Sequence, residues 1–455
     1  MVSVEKNTKK VFVKTLGCKV NTFDSQAIAN QLHQAGYTLT ESHLTADVHI
    51  INTCSVTATA EKEARYLLRR YRRENPAGLN VVTGCYAQIQ SANLEKMREV
   101  DFVVPNEAKT LIEPLVKNVI HARETGVELK QKLPEGLKAV ADNRQGHFKV
   151  SHTLFDTPQV NRARAFLKIQ DGCNGFCAYC QIPYARGAST SVAPEQALAE
   201  VKKIAAQTAE IVLTGIHLGD YGEDLADKVN FASFVRRIFE ETKLPRLRIS
   251  SLEPSEVSAE LLEVLHEHAD RFCDHFHLPL QSGCGETLKR MRRVYTTEEY
   301  ANTLKRIRTF FPYAQISADI IPGFPGESQE AHQRSVDFIK QQQIADLHVF
   351  PYSKRPNTAA VKMPEHLSPE IIRTRAAELR GLATELWSNY AQNFYSLELP
   401  VLWERSHKGR WVGKTTNYLP VVAPENRTDL ATGQITLAKI IGLYGPKQLL
   451  ANPLH

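Results

Sequence analysis

Three cysteines fall in one short run of this chain, Cys173-Asn174-Gly175-Phe176-Cys177-Ala178-Tyr179-Cys180, spaced Cys-x3-Cys-x2-Cys. Three thiolates in a loop can hold three corners of a four-iron cubane. A cubane with every iron on cysteine needs a fourth thiolate, and no fourth cysteine lies nearby. The pattern therefore leaves one iron open to a chelating ligand. The competing chemistry is a structural zinc site, but closed zinc sites take four ligands in paired Cys-x2–4-Cys halves, and no second pair follows.

Three further cysteines are far apart: Cys18 in TLGC, Cys54 in INTC and Cys85 in VTGC. Each follows the carboxyl end of a predicted strand. In a parallel sheet those ends share one edge, where ligand sites form, so the three thiols can meet and hold a second cluster. The alternative is three unrelated half-buried cysteines, since free cysteine is often buried. Cys273 precedes a strand and reads as structural. Cys284 ends His277-Leu278-Pro279-Leu280-Gln281-Ser282-Gly283-Cys284 at the close of a strand, a position that can face an active site.

The elements that must position these thiols come in two strand–helix series. Strands are expected over 10–16, 46–53, 79–83 and 102–104, with helices over 24–35 (Asp24 as N-cap), 59–73 and 91–98. Such alternation implies a parallel sheet. Residues 134–162, with Pro134, Gly136, Gly146 and Pro158, read as a linker. A second series follows, with strands over 165–169, 211–214, 246–250, 276–280, 316–321 and 347–350, about six β/α units of an incomplete barrel. From about Tyr395, short apolar runs broken by glycine and proline read as a small all-β module. The expected divisions are 1–133, 134–162, 163–388 and 389–455. The fold class is thus α/β, with an amino-terminal parallel sheet, a central partial (β/α)6 barrel and a carboxyl-terminal small β-barrel.

The 455 residues exceed one compact core, and 42% hydrophobic with 23% charged residues is ordinary for a globular protein. Neither a secretory leader nor an apolar run of membrane-spanning length is apparent, so the expectation is a cytoplasmic protein with no membrane partner. Eight cysteines in such a setting argue for metal chemistry rather than disulfides.

The net charge of +6 is mild unless concentrated. One concentration is the helix from Glu61 to Arg73, where Lys62, Arg65, Arg69, Arg70, Arg72 and Arg73 oppose only Glu61 and Glu63. Arg65, Arg69, Arg72 and Arg73, with Tyr66 and Tyr71 nearby, suit phosphate contact and base stacking; a solvated charged helix is the bland alternative. The β module carries seven Lys/Arg against four Asp/Glu, with Trp403, Trp411, Tyr418, His407 and Lys408, of which Lys408 and Trp411 are the candidate RNA contacts.

With these residues in view, the central run CNGFCAYCQIPYARG resembles the radical SAM superfamily, and its wider context the methylthiotransferase branch. KTLGCKVN, INTCSV and GCYAQ resemble the amino-terminal domain of those enzymes. The resemblance implies two [4Fe-4S] clusters. One, on Cys173, Cys177 and Cys180, would bind and cleave S-adenosylmethionine (SAM); an auxiliary one, on Cys18, Cys54 and Cys85, would activate sulfur. Tyr179, Thr214, Gly215, Glu253, His277, Gln281 and Asp319 become expected SAM or substrate neighbours, each with a bland reading as a cap or turn residue. Arg186 is a substrate candidate, although the arginines that commonly follow it in the family are here Ala188-Ser189-Thr190-Ser191. The β module resembles the TRAM domain, an RNA-binding barrel.

GCKVN, TGIHLGDYG and HLPLQSGCGETLKRMRRVYTTEEY most resemble the branch that methylthiolates N6-threonylcarbamoyladenosine (t6A) beside the tRNA anticodon. Sibling branches usually read GCQMN (isopentenyladenosine) or GCPKN (a ribosomal-protein aspartate), and Lys19-Val20-Asn21 matches neither. The implied partners are the anticodon stem-loop and a reductant such as flavodoxin or ferredoxin, acting on a monomer. A protein methylthiotransferase and a non-catalytic iron–sulfur RNA-binding or electron-transfer protein are the rival readings.

Overall fold

The structure is a computed structural model that describes residues 8–126 and 163–454; the expected linker lies outside the described residues. Among them, no helix is long and apolar enough to cross a membrane.

The first domain is a five-stranded sheet built from β1 (Lys10–Thr15), β2 (Thr38–Leu39), β3 (Val48–Thr53), β4 (Leu79–Gly84) and β5 (Phe102–Val103). Every pairing is parallel and the order is β2-β1-β3-β4-β5. All of β3 and β4 is buried, as central parallel strands covered on both faces require. Val48, Ile50 and Val81 pack against α1 (Lys19–Gln34) and α5 (Ile112–Thr125). Ile51 and Val82 face the other way, onto α2 (Ala58–Glu74), α3 (Cys85–Ile89) and α4 (Ser91–Glu95). Thr57 caps α2 by accepting from the Ala60 N–H.

One local expectation is corrected. α1 begins at Lys19 with Cys18 as N-cap, so Asp24 is not a cap but lies a turn inside the helix, fully buried. Its carboxylate takes up three cations instead: Lys109 and Lys168 at 2.6 Å each and Arg186 at 3.2 Å. Asp171 completes this network with Arg186 and Lys168, both at 2.8 Å. Asp24 and Lys109 come from the first domain, and Lys168, Asp171 and Arg186 from the second. The ions lock the domains together.

The second domain has six strands: β6 (Arg164–Lys168), then, after the short ribbon β7 (Gln170–Asp171) and β8 (Thr190–Ser191), β9 (Glu210–Thr214), β10 (Arg246–Ile249), β11 (His275–His277), β12 (Gln315–Ile320) and β13 (Asp346–Val349). Two parallel three-stranded sheets are joined by the bridges Leu247↔Phe272 and Ser251↔His277, so chain order and spatial order agree around an open barrel. β11 stops well short of the expected residue 280. Pro279 lacks an N–H for the ladder, and Gln281 adopts φ 65°. The helices α6 (Ile182–Arg186), α7 (Pro194–Ala205), α8 (Phe231–Glu241), α9 (Ala259–Glu267), α10 (Gly285–Arg290), α11 (Thr297–Phe310) and α12 (Gln329–Gln341) follow the loops of this series.

The long helix α13 (Pro369–Gln392) runs through the expected 388/389 division, and its Trp387 and Ala391 enter the core of the last unit. That unit is a closed barrel in the order β14-β15-β16-β18-β17: β14 (Glu398–His407), β15 (Arg410–Thr415), β16 (Pro420–Glu425), β17 (Ile435–Gly445) and β18 (Gln448–Pro453). Trp403 is wholly buried in its core, which makes it packing rather than an RNA contact.

Candidate active site between two cysteine trios

Cys18, Cys54 and Cys85 follow β1, β3 and β4, and the strand register sets them level: Thr15 pairs with Asn52, Asn52 with Thr83 and Thr53 with Gly84. Strand order reverses between β1 and β3, the place where doubly wound sheets open a crevice beyond their carboxyl ends. Two glycines admit the close approach. A Cβ on Gly17 (φ 98°) would stand 2.7 Å from Cys54 Cβ, and one on Gly84 (φ 98°) 2.2 Å from Thr53 O. Burial pushes the Cys54 thiol up to about 12, with Cys85 and Cys18 adding to the rise. Burial also raises Cys18, although its side of the crevice stays accessible to water.

The central trio sits in the loop after β7. Each of its thiols receives an N–H: Gly175 N to Cys173 Sγ at 3.2 Å, Ile182 N to Cys180 Sγ at 3.4 Å, and Arg293 Nη1 to Cys177 Sγ at 3.1 Å. Burial drives Cys180 up to about 12. Desolvated thiols become thiolates only beside a cation, and N–H···S bonds are what iron–sulfur clusters use to stabilise sulfur charge. Neither trio is among the described groups whose ligand atoms all lie within 4.8 Å of one another, as a single small ion would demand. Three thiols in each trio are the donor set that a four-iron cubane takes.

Helix α6 connects the trios. It starts two residues after Cys180 and, with five residues, rises only about 7.5 Å. Its last residue, Arg186, is fully buried and held by Asp171, Asn21 and Asp24. Burial opposes its charge, but Asp171 and the thiols of Cys85 and Cys18 hold its pKa well above the ordinary value. Arg186 therefore ties domains together beside the amino-terminal trio, with both Nη groups taken and only its buried Nε left without a partner. Asn106 adds a second link, donating to Ala185 O at 2.7 Å and Cys85 Sγ at 3.6 Å.

The expected residues at the barrel's carboxyl edge fall into three groups. Glu253 pairs with Arg293, which also reaches Tyr179 OH at 3.5 Å and so connects both to Cys177. Thr214 is buried, and Gly215 leaves room for Gln170, whose Oε1 accepts from Ile216 N and His217 N at 2.8 Å while its Nε2 donates to the cluster loop at Asp171 O and Gly172 O. His277, Asp319 and His348 converge, with His277 Nε2 at 3.0 Å and His348 Nδ1 at 3.4 Å from Asp319 Oδ1. Burial would raise the Asp319 carboxyl; the two imidazoles hold it well below the carboxylate range instead. Gln281 sits next to this group, its N–H donating to Asp319 O at 2.8 Å.

Sequence reading missed Arg293, His217 and His348. His217 lies 3.7 Å from Cys173 Sγ and is held between Asp220 and Glu256, which keep its imidazole protonated against the cost of burial. Arg293 stands within the run KRMRRVY, where three neighbouring basic residues, Lys289, Arg290 and Arg292, hid it. Cys284 is corrected: its thiol is bonded to Glu286 at 2.9 Å and Arg334 at 3.3 Å among the outer helices, away from both trios. Cys273 is buried against Glu210.

The basic helix divides as well. Arg65 donates to Tyr86 OH and Arg72 to Pro76 O, Gly78 O and Asp101, so both serve the fold. Lys62, Tyr66, Arg69 and Arg73 stay exposed. In the small barrel Lys408 is exposed at the β14–β15 turn, while Trp411 is half-buried and donates to Arg427 O.

Residues 167–339 match the family model described as "Radical SAM superfamily", and residues 10–105 the one described as "Uncharacterized protein family UPF0004". The threonylcarbamoyladenosine tRNA methylthiotransferase MtaB of Bacillus subtilis is 37% identical over 94% of this chain and 92% of its own. The MtaB protein of Aquifex aeolicus is 36% identical over 85% and 90%. The tRNA-2-methylthio-N(6)-dimethylallyladenosine synthase of Syntrophotalea carbinolica is 31% identical over 90% and 92%. Among solved structures, the radical SAM methyltransferase TsrM of Kitasatospora setae shares the fold, with TM-score 0.54 and 15% identity over 78% of this chain and 75% of that one. The enzymes of this class use SAM and [4Fe-4S] clusters, and the fold, the two trios and these relatives agree: the chain belongs to the radical SAM methylthiotransferase family.

Proposed function

We propose that the protein adds a methylthio group at C2 of t6A beside the anticodon of tRNA. Cys173, Cys177 and Cys180 hold the cluster that binds SAM, and Cys18, Cys54 and Cys85 hold the auxiliary one. The observation that carries this reading is the pair of trios, separated by one five-residue helix within a single interdomain crevice. Full-length likeness to relatives named for t6A supports the choice of nucleoside. When bound and reduced, the SAM-binding cluster supplies the electron that cleaves SAM to a 5′-deoxyadenosyl radical, the reactivity an unactivated aryl C–H bond needs.

The chain's own residues prepare that chemistry. Arg293 and the Gly175 and Ile182 amides stabilise sulfur charge, and Tyr179 packs edge-on to Phe324 beside them. His277, Asp319 and His348 form a polar edge where the base can be positioned, while the C2 hydrogen leaves as an atom on 5′-deoxyadenosine. Asp319 stays ionised between the two imidazoles. Lys62, Arg69 and Arg73 on α2, with Lys408 on the small barrel, supply contacts to RNA phosphates. The reading includes a monomer in the cytoplasm, served by a flavodoxin- or ferredoxin-like reductant.

The test is anaerobic incubation of the reconstituted enzyme with SAM, dithionite and tRNA, followed by mass spectrometry of nucleosides. The reading requires t6A to gain one methylthio group. It fails if isopentenyladenosine or a protein gains that mass instead, or if no 5′-deoxyadenosine forms.

A further inference from the structure

Cations outnumber acids where the three domains meet. Lys19 follows Cys18 directly, and Arg164, Arg248, Lys414 and Tyr418 surround it from the other two domains. Lys414 Nζ lies 4.1 Å, and the Arg248 guanidinium carbon 4.8 Å, from the Tyr418 ring centroid. His275 stacks on the same ring with centroids 4.5 Å apart. Arg246 donates to Lys414 O at 3.4 Å through Nη1, while its buried Nη2 has no partner.

The acids do not balance this set. Glu210 answers Arg248 and Arg164, and Glu404 answers Arg164. Asp274, beside Arg246 and Arg248, is buried and its carboxyl pushed up by that burial. Neither Lys19 nor Lys414 forms an ion pair among the described residues, and the one acid acting on Lys414, Glu404, is already paired with Arg164. Burial opposes ionisation of the Tyr418 phenol, yet Lys414, Lys19, Arg164 and Arg248 overcome it and pull the group down to about 8. Unpaired cations this deep are costly unless an anion arrives.

The corner is continuous with the barrel mouth. Ser317 Oγ is shared by His275 Nε2 at 3.1 Å and His277 Nδ1 at 2.9 Å, and His277 leads to Asp319. This chain of contacts runs from the barrel mouth to Tyr418 and Lys414.

Resting on the tRNA reading above, we infer that this corner binds the free carboxylate of the threonylcarbamoyl arm, with Lys19 and Lys414 as its charged contacts, and so selects the substrate. An uncharged dimethylallyl arm would leave the same cations desolvated and unpaired, a penalty that discriminates by repulsion as well as by lost attraction. A tRNA phosphate carries the same anionic oxygens, but the corner lies inside the domain junction, beside Cys18, and not on the outer face where Arg69 and Arg73 stand.

The test uses the full-length reconstituted enzyme and two anticodon stem-loops identical except that one carries t6A and the other its carboxylate methyl ester. Wild-type enzyme should bind the acid about tenfold to a hundredfold more tightly. Lys414→Gln, which removes no cluster ligand, should close that gap, and Lys414→Arg should restore most of it. Lys19→Gln gives a second route to the same result, with iron content checked because Cys18 is adjacent. Equal weakening of both RNAs by Lys414→Gln, which marks a phosphate contact, overturns the inference, as does a gap that survives both substitutions. Wild-type enzyme that makes no methylthio product from either RNA overturns the t6A reading itself. Product from t6A with no preference for acid over ester overturns the corner alone.

Discussion

Arg293 shows how one side chain can set the behaviour of a cluster ligand. Its guanidinium touches Cys177 Sγ, Glu253, Tyr179 and the face of Tyr295 at once. A cationic donor to sulfur favours the reduced, more negative cluster. Arg293→Met is expected to lower the midpoint potential of the SAM-binding cluster by tens of millivolts, 59 mV being tenfold for a one-electron couple. Potentiometric titration followed by electron paramagnetic resonance checks it; an unchanged midpoint refutes this role. At this scale the sequence was legible where spacing alone carries chemistry, as in Cys173, Cys177 and Cys180. It was not legible where a residue's meaning depends on what the fold brings to it. Arg293 is 116 residues from Cys177 in sequence, and Arg186 reads as a substrate contact because nothing local shows that Asp171, Asn21 and Asp24 occupy both its Nη groups.

At the scale of elements, α1 and β6 are held by charge rather than by apolar packing alone. Asp24 on α1 faces Lys109, Lys168 and Arg186, all buried. Breaking a buried pair leaves uncompensated charge and costs about 3–5 kcal/mol. Asp24→Asn should lower the urea midpoint accordingly, with little change in slope. The pH dependence has a definite sign. Burial raises both carboxyls, but Lys109, Lys168 and Arg186 hold Asp24 well below its ordinary value, and Arg186 with Lys168 brings Asp171 down to about 2. Their contribution is therefore complete above the unfolded value of about 3.9 and lost as pH falls from there toward about 2. Acid unfolding followed by circular dichroism should be shallower in the Asn variant; an identical profile contradicts the network's role. The strand positions were readable from apolar runs, and with them the level placement of Cys18, Cys54 and Cys85. The start of α1 was not, because Cys18 caps it without a side-chain hydrogen bond and Asp24 gives a false N-cap signal.

At the scale of the whole molecule, three domains meet beside Cys18, and a basic helix face stands outside that junction. Arg69 and Arg73 are exposed, Arg73 with only a surface pair to Glu74, whereas Arg65 and Arg72 are tied into the fold through Tyr86 and Asp101. Replacing both with glutamate should weaken tRNA binding about tenfold or more and flatten the salt dependence by up to about two in slope, as expected for lost phosphate contacts. Filter binding across a salt series decides this; unaltered affinity and slope would make the helix face a solvated surface only. The third domain's contribution to the crevice was invisible in sequence, since Lys414 and Tyr418 acquire meaning only when the small barrel docks on β10 through Arg248 to Thr415 O and Thr416 O.

The account rests on two independent thiolate sites, one of which keeps an iron open to SAM. The most direct measurement is the electron paramagnetic resonance spectrum of the reduced, anaerobically reconstituted variant in which Cys18, Cys54 and Cys85 are all alanine, recorded with and without SAM. The account predicts one [4Fe-4S]+ signal whose shape changes when SAM is added. No signal, or a signal indifferent to SAM, would contradict it.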